Sequence, residues 1–358
     1  MPVQKRSLLD LSPEELRREM TEAGEQAYRA AQVLRWIFRG AASFSQMTDL
    51  PLDLRTKLEE KYDYPGIRIE KKEVSERDAS VKFAMRLSDG NLVESVLMRY
   101  RYGDSLCLST QVGCRMGCVF CASAGLGFIR NLTAAEMEEQ VLAVAGAMED
   151  RVSRIVFMGI GEPLDNLDQV LEAIHRMNDP SRLGIGARHI TLSTCGLIPG
   201  MDRLAAEKLP LTLSVSLHAP EEALRRRLMP VAGRTPLKAL IAACRRYREQ
   251  TGRRITLEYV MIRDVNDSPE MARSLVRLLG GGSWHVNLIP LHETPRSEFR
   301  ASRQETVRVF RDILEAGGIL VTLRRSLGSD ITAACGQLRR GMLDESRSAS
   351  CKGNGHHV

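Results

Sequence analysis

The sequence predicts an α/β protein with a parallel sheet, preceded by a small helical domain. From about residue 105 onward, short runs rich in β-forming residues alternate with amphipathic helical stretches. Six or seven such units in one run are typical of a parallel sheet, either doubly wound or closed into a full or partial barrel. Before residue 65, three short helical segments indicate a separate bundle.

The N-terminal bundle is delimited by helix start and stop signals. The Ser-Pro-Glu-Glu sequence at residues 12–15 forms a capping-box start, and a second amphipathic segment ends at Gly40. A third segment begins near Pro51. We therefore expect an accessory domain over residues 1–65.

A β-hairpin extension is predicted next. The Asp89-Gly90 dipeptide separates two apolar, β-rich runs, which is the usual signal of a tight hairpin turn. We assign residues 66–104 to this extension and residues 105–342 to the βα domain. The tail over residues 343–358 is polar and lacks periodicity, so it is predicted to be disordered.

The βα domain contains seven β-rich runs, with helical stretches between most of them. These runs lie at residues 106–110, 155–158, 189–193, 211–217, 255–261, 285–289 and 319–324. The first connecting helix opens with a Thr-Ala-Ala-Glu capping box at residues 133–136, and others follow Thr-Pro or Ser-Pro pairs. This alternation is the basis of the parallel-sheet prediction.

Composition and charge suit a globular protein outside the membrane. The 358 residues are 43% hydrophobic and 27% charged, and no run approaches the roughly 20 apolar residues of a membrane helix. The N-terminus lacks the apolar core of a secretion signal, so we expect a cytoplasmic protein. The net charge is +6, and arginines cluster at residues 225–227, 245–246, 253–254, 324–325 and 339–340. One such cluster is more often a solvated helix face, but five together favour RNA or DNA as a partner.

Four of the eight cysteines fall within fifteen residues, at positions 107, 114, 118 and 121. In a cytosolic chain this pattern is better explained by metal binding or catalysis than by disulfides. Cys114, Cys118 and Cys121 can hold a [4Fe-4S] cluster and leave one iron open to another ligand. A zinc site with Cys107 as its fourth ligand is the alternative. Cys195 and Cys244 match no motif and are expected to be structural, and Cys351 is expected to be a free thiol in the tail.

The CxxxCxxC spacing, with Phe120 before the third cysteine, resembles the radical S-adenosylmethionine (SAM) superfamily. About forty residues later, the second β-rich run, at 155–158, leads into Gly-Ile-Gly-Glu-Pro at 159–163, which is similar to the superfamily's loop for the methionine amino group of SAM. The resemblance implies a partial (β/α)6 barrel, one [4Fe-4S] cluster and SAM as cofactors. It also implies that the three cysteines of the motif are the cluster ligands.

Strings outside the motif resemble one family, the radical-SAM ribosomal RNA adenine C2 methyltransferases, which also modify an adenine in certain tRNAs. They are VESV at 93–96, TQVGC at 110–114, FMGIGEPL at 157–164 and AACGQL at 333–338. The resemblance covers nearly the whole chain. Its N-terminal part is similar to the family's helix-hairpin-helix-like accessory domain, which suggests RNA docking there.

The family resemblance implies a covalent methyl carrier, because adenine C2 is too electron-poor to attack a sulfonium methyl group. Cys335 would take a methyl group from one SAM, and a second SAM would give a 5′-deoxyadenosyl radical that removes hydrogen from it. The resulting carbon radical would add to the adenine. Glu94 matches the family's proton acceptor, and Cys107 would help remove the ring proton. Cys107 would then attack the Cys335 sulfur, releasing the methylated base and a disulfide.

Further positions match the family's cofactor-binding residues and lie at the C-terminal ends of predicted strands, where barrels build their sites. They are Gly161, Glu162, Ser193, Ser216, Leu217 and His218. One position departs from the family, because His292 stands where the family commonly has Asn after the sixth strand. Its part in SAM binding is therefore an open point.

The implied partners are 23S rRNA and tRNA, with an electron donor such as flavodoxin by analogy, and we assume a monomer. A C8-methylating relative is the nearest alternative, since it shares the cluster motif, Cys107 and the AACGQL string. Pro163 favours C2, because the C8 enzymes carry Ala at this position. A non-catalytic zinc- or cluster-containing RNA-binding protein is the alternative from another class, but it does not explain why Glu162, Cys107 and Cys335 occur together.

Overall fold

The computed structural model describes residues 5–292 and 298–338. Its N-terminal part is β1 (Arg6–Ser7), α1 (Pro13–Glu22), α2 (Arg29–Phe38), α3 (Leu52–Lys61) and β2 (Tyr62–Asp63). Three longer strands follow as β3 (Ile67–Val74), β4 (Val81–Leu87) and β5 (Leu92–Met98). The predicted tail and Cys351 lie outside the described residues.

The remainder alternates strands and helices. Its first half is β6 (Ser105–Cys107), β7 (Gln111–Gly113), β8 (Phe128–Asn131), α4 (Ala134–Met148), β9 (Arg154–Phe157), α5 (Leu167–Asn178), β10 (Ile190–Thr194) and α6 (Ile198–Ala206). Its second half is β11 (Thr212–Ser216), α7 (Glu222–Leu228), α8 (Leu237–Thr251), β12 (Ile255–Met261), α9 (Pro269–Leu279), β13 (His285–Pro290), α10 (Gln304–Ala316) and β14 (Leu320–Leu323).

Ten strands form one sheet in the order β14-β13-β12-β11-β10-β9-β6-β5-β4-β3. The seven from β6 to β14 are parallel to their neighbours, and β3, β4 and β5 add an antiparallel extension to β6. In the described residues β14 does not pair with β6, so the parallel part stays open. The predicted α/β class with a partial barrel is confirmed.

The helix starts follow the sequence signals closely. At α1, the Ser12 hydroxyl accepts a hydrogen bond from the Glu15 amide at 3.1 Å, and the Glu15 carboxylate accepts one from the Ser12 amide at 2.7 Å. Thr133 and Glu136 form the same reciprocal pair at α4. The hairpin prediction is also confirmed, since β4 and β5 pair across a turn in which Gly90 has a φ of 81°.

Two hydrophobic cores hold these layers together. The helices α1, α2 and α3 bury Leu16, Val33 and Leu54 in a core of their own, which also receives Ala135 from α4. The larger core lies between the sheet and its crossover helices. The boundaries at residues 65, 104 and 342 stay predictions.

Side-chain alternation along the parallel strands decides where the polar groups lie. In β10, residues 190, 192 and 194 are buried while 191 and 193 are less so, as expected for a strand with one apolar face. Serines and threonines therefore line the concave side of the sheet. Within the described residues, every helix is too short or too polar to cross a membrane.

Candidate active site

The three motif cysteines lie on a loop whose ends are held together by a small ribbon. β7 and β8 pair antiparallel on either side of this loop, with Gly113 opposite Phe128. Gly113 has a φ of +76°, and a Cβ there would lie 1.7 Å from the carbonyl oxygen of Gly127. Only glycine fits this position, so the ribbon and the loop depend on it.

All three thiols line one cavity of about 180 Å³ at the C-terminal ends of the parallel strands. Burial raises the pKa of Cys114 to about 11, and the neighbouring charge of Cys121 adds to the shift. Burial also raises the pKa of Cys118, with further contributions from Cys121 and Cys114. Each sulfur thus lies within electrostatic range of another, and all three face the same space.

This arrangement fits a cluster better than a single ion. Among the described residues, no three His, Cys, Asp or Glu side chains converge closely enough to bind one metal ion. A [4Fe-4S] cluster places its thiolates at separate corners and accepts three of them. Cys107 does not line this cavity, so the zinc alternative lacks its fourth ligand.

The loop after β9 faces the cysteines across the cavity. A Cβ at Gly161, where φ is +112°, would lie 2.7 Å from both the Gln111 Cβ and the Thr110 hydroxyl oxygen. Glu162 follows and is 4% exposed. Its carboxylate accepts hydrogen bonds from the backbone amides of Cys195 at 2.8 Å and Leu164 at 3.1 Å. Burial raises its pKa above the usual value. The two amides fix the carboxyl group at the cavity wall, where it can bond to a ligand.

Most of the other predicted cofactor-binding residues line the same cavity. They are Gly161, Glu162, Ser193, Ser216, His218 and His292. Leu217 does not, because its side chain is fully buried in the main core. Burial lowers the pKa of His292, so the residue that replaces the family's usual Asn is neutral at physiological pH.

His218 is held in one protonation state and one tautomer. Burial lowers its pKa to about 3, with a smaller effect from Arg225. Its Nδ1 accepts a hydrogen bond from the Val260 amide at 3.0 Å, which leaves the proton on Nε2. The edge of the ring meets Phe120 of the cysteine motif, with centroids 4.9 Å apart. His218 can therefore donate a hydrogen bond but not carry charge.

Cys335 lies in a C-terminal segment that is tied to the cysteine loop. The Ala122 amide donates to the Gly336 carbonyl at 2.8 Å, and the Ser123 hydroxyl donates to the Leu338 carbonyl at 2.8 Å. As a result, Cys335 lines the same cavity as the three motif cysteines, although more than two hundred residues separate them.

The opposite side of this segment is tied to the antiparallel extension. Asp78 accepts a hydrogen bond from the Gly328 amide at 2.8 Å, and the Ser75 hydroxyl donates to Asp330 at 2.8 Å. The Lys82 amine donates to the Thr332 hydroxyl at 3.0 Å. The Cys335 segment is therefore clamped between the extension and the cysteine loop.

Cys107 lies beside Cys335 but behind the cavity wall. It is 7% exposed and packs with Ile160, Ala333 and Leu338. Burial raises its pKa to about 12, and the charge of Cys335 contributes to the shift. Cys107 therefore packs against the segment that carries Cys335, and the two sulfurs lie within electrostatic range of each other.

Glu94 is brought near this pair without lining the cavity. It is 4% exposed, and its carboxylate lies 3.9 Å from the Lys82 amine. Lys82 in turn contacts the Cys335 segment through Thr332. Its role as proton acceptor stays a prediction.

Two charged residues that line the cavity were not among the predicted site residues. Arg324 crosses the open side of the barrel, and its Nη1 lies 3.2 Å from the Met158 sulfur of the loop after β9. The charge of Cys335 raises the pKa of Arg324. Glu258 of β12 is 4% exposed and accepts a hydrogen bond from Asn287 at 2.8 Å. A charged residue inside an apolar β-rich run was the available signal for Glu258.

Interpreting residues 225–227 as a phosphate-binding cluster was wrong for Arg225. This side chain is 1% exposed and donates hydrogen bonds to the carbonyls of Cys195 at 2.9 Å and Thr235 at 3.3 Å. It braces the loops after β10 and β11 from within. Its neighbour Arg226 pairs with Glu222 at 2.8 Å.

Comparison with known proteins agrees with this geometry. Residues 108–276 match the radical SAM superfamily, and residues 6–63 match the N-terminal domain of ribosomal RNA large subunit methyltransferases. A probable dual-specificity RNA methyltransferase RlmN from Clostridium botulinum (strain Alaska E43 / Type E3) is 47% identical over 94% of this chain and 97% of its own length. The corresponding protein from Pelotomaculum thermopropionicum is 51% identical over 92% of this chain and 90% of its own.

This chain belongs to the RlmN family of radical SAM methyltransferases. A crystal structure of a radical SAM methyltransferase from Sphaerobacter thermophilus superposes with a TM-score of 0.90 at 43% identity, covering 94% of this chain and 99% of that one. Membership of the superfamily implies one [4Fe-4S] cluster and SAM as cofactors. The cluster would be held by Cys114, Cys118 and Cys121, and SAM by residues at the strand ends around Glu162.

Proposed function

We propose that this RlmN-family enzyme methylates C2 of an adenine in 23S rRNA and in certain tRNAs. The observation that carries the proposal is the pair Cys335 and Cys107 at the edge of the cavity that the three motif cysteines line. The names of the RlmN relatives and the match over residues 6–63 support RNA as the substrate. Pro163, which the C8-methylating enzymes lack, supports C2 over C8.

The residues around the cavity have different roles in binding the cofactors and the substrate. When bound, the cluster and SAM supply the methyl group and the one-electron chemistry that an electron-poor ring carbon requires. Glu162 offers a fixed acceptor, and neutral His218 offers a single donor at Nε2. Because burial keeps His218 neutral near physiological pH, it orients a ligand as a hydrogen-bond donor without changing charge.

Cys335 carries the methyl group, and Cys107 releases the product. After the carbon on the Cys335 sulfur has bonded to adenine C2, the radical adduct loses the ring proton and one electron, for which a bound cluster would be the acceptor. The Cys107 thiolate then attacks the Cys335 sulfur. The sulfur–sulfur bond forms, the sulfur–carbon bond breaks, and its electron pair takes up a proton to complete the new methyl group. A thiol reductant then restores both cysteines.

Burial makes the Cys107 step demanding, because its pKa of about 12 keeps it a thiol at neutral pH. The cation of Arg324 lowers that pKa relative to burial alone, and Glu94 lies on the same side as Cys107, in the neighbouring strand. We propose that Glu94 accepts a proton here. An external one-electron donor such as flavodoxin, a monomeric state and a cytoplasmic location complete the proposal.

Nucleoside mass spectrometry tests the reaction. Ribosomal RNA and tRNA would be digested from a strain with the gene, without it, and with Cys335→Ser or Cys244→Ala in its place. Cys244 is a fully buried core residue outside the cavity, so it is the matched control. Loss of 2-methyladenosine without the gene and with Cys335→Ser supports the proposal. Loss of 8-methyladenosine contradicts the C2 assignment, and no change in either nucleoside contradicts RNA methylation.

A second experiment isolates the resolving step. Cys107→Ala should leave the enzyme covalently attached to its RNA, because the thiol that breaks the sulfur–carbon bond is gone. A denaturing gel of reaction mixtures would show a band that nuclease shifts back to the protein's mass. Free methylated RNA from Cys107→Ala at the wild-type rate would refute the role of Cys107.

A further inference from the structure

A second cavity, of about 410 Å³, lies at the opposite ends of the parallel strands from the cysteines. Ser105, Arg154 and Thr212 line it, and these are the first residues of β6, β9 and β11. Tyr100 and Tyr102, in the loop between β5 and β6, form one wall. None of the residues assigned above to the cluster or to SAM takes part in this tyrosine–arginine cavity.

Flat π surfaces dominate this wall. The rings of Tyr100 and Tyr102 stack with centroids 4.9 Å apart and planes inclined by 8°. The Arg154 guanidinium lies 4.8 Å from the Tyr102 centroid. Tyr102 is nevertheless 63% exposed, so much of its surface remains open to a ligand. A column of aromatic rings and guanidinium is a surface to which a nucleobase adds by stacking.

The charge of the cavity is positive and largely uncompensated. Arg154, Arg188, His189 and Arg324 line it, and none of its described lining residues is Asp or Glu. The Nε of Arg154 is buried without a hydrogen-bond partner. Neither Arg154 nor Arg188 pairs with a carboxylate among the described residues. A buried guanidinium donor without a partner is costly, so an anion is the ligand that this cavity suits.

The cavity shares part of its lining with a crevice that contains Cys335. Tyr100 and Arg324 line both the tyrosine–arginine cavity and this crevice. The charge of Cys335 raises the pKa of Tyr100, after the larger effect of burial and that of Tyr102, so the two side chains are neighbours. A ligand in the second cavity would therefore contact side chains that also line the Cys335 crevice.

We propose that the tyrosine–arginine cavity binds one nucleotide, with the base on the Tyr100–Tyr102–Arg154 column and the phosphate on Arg154 and Arg188. The nucleotide is one of the RNA substrate, next to the adenine that reaches Cys335, and this assignment rests on the proposed function. A free mononucleotide has the same chemistry and is the other possible source.

Binding of fluorescent tRNA and 23S rRNA fragments to the reconstituted holoenzyme tests the proposal. Tyr102→Ala and Arg154→Met should each weaken binding about tenfold, since one stacked base or one buried phosphate contact is lost. Arg154→Met and Arg188→Ala should also reduce the dependence of affinity on salt by about one ion. Arg273→Met is the matched control, because Arg273 is exposed on α9 and pairs with Glu270 at 2.9 Å.

Iron content and the unfolding midpoint establish that each variant is folded, and exposed Arg188 provides a variant without a packing role. Wild-type affinity and salt dependence in all three variants would overturn the proposal. A titration with adenosine monophosphate separates the two sources. If it binds through Arg154 while RNA affinity is unchanged, the nucleotide is a free one and the assignment to RNA is wrong. If the wild type binds RNA through these residues but forms no methyladenosine, the site stands and the proposed function fails.

Discussion

Replacing Gly113 with Ala should release the loop that carries Cys114, Cys118 and Cys121, and so lower the iron content of the enzyme. Gly113 closes the β7–β8 ribbon with a φ of +76°, and its Cβ would lie 1.7 Å from the Gly127 carbonyl oxygen. Real Cβ contacts essentially never fall below 3.0 Å, so the ribbon strands must move apart. The sulfurs that follow directly on the chain move with them.

Substitutions at two nearby glycines separate the effect of backbone strain from that of the close contact with Gly127. Gly127 has a φ of +66° and a ψ of 169° with open space around its Cβ position, so Gly127→Ala costs only backbone strain of about 1–3 kcal/mol. Gly125→Ala meets neither strain nor a neighbour. Gly113→Ala combines backbone strain with the loss of ribbon pairing, which adds about 1 kcal/mol for each broken hydrogen bond.

Iron per chain after anaerobic reconstitution, together with the thermal unfolding midpoint, measures these differences. We expect wild-type iron for Gly125→Ala, a partial loss for Gly127→Ala and the largest loss for Gly113→Ala. The unfolding midpoint should change less than the iron content, because the ribbon lies outside the ten-stranded sheet. Equal iron content in Gly113→Ala and Gly125→Ala would refute the reasoning.

Three further predictions concern residues away from the cysteine loop. Burial raises the pKa of Glu139 to about 8, so folding favours its protonated form, and stability is lost as pH rises through this value. In the wild type, Glu139 should lower the free energy of unfolding by about 1 kcal/mol between about pH 7 and 9. Glu139→Gln should abolish this decrease, and an unchanged pH dependence would contradict the prediction. Arg225→Met should lower the free energy of unfolding, measured by chemical denaturation, by about 3 kcal/mol, because the buried carbonyls of Cys195 and Thr235 lose their hydrogen-bond donor. A loss below about 1 kcal/mol would contradict the bracing role of Arg225. Asp78→Ala should raise deuterium exchange over residues 326–338 and slow methylation several-fold at unchanged iron content, whereas wild-type exchange would argue against the clamp on Cys335.

Features determined by local chemistry were predicted almost to the residue. The capping boxes at Ser12 and Thr133 mark the starts of α1 and α4, because a cap depends on residues within one helical turn. The β-rich run at 255–261 coincides with β12. The first run did not become one strand. Its predicted span was 106–110, but β6 ends at Cys107, since the Leu108 and Thr110 backbones bond to the segment around Gly159 instead.

Features determined by distant contacts were beyond the sequence pattern. Nothing local shows that β3, β4 and β5 continue the parallel sheet, because the pairing of β5 with β6 joins segments by position rather than by motif. Arg225 has the sequence context of an exposed cation, and its burial depends on loops after two other strands. The motif cysteines, in contrast, can be recognised from their spacing in the sequence. Cys335 was found only through a resemblance that covers the whole chain.

The antiparallel extension helps to position Cys335, because it holds one side of the Cys335 segment. The Cys335 segment bonds to the cysteine loop through Ala122 and Ser123, so any change that disorders this loop should also displace Cys335, the proposed methyl carrier. Cluster binding and Cys335 placement are therefore mechanically linked from that side. The extension holds the same segment independently, through Asp78 and Lys82, and carries Glu94 on the adjacent strand. Variants of the extension are thus expected to move Cys335 and Glu94, the proposed proton acceptor, while the three motif cysteines stay in place. The proposed methyl transfer can therefore be separated from cluster chemistry at this surface.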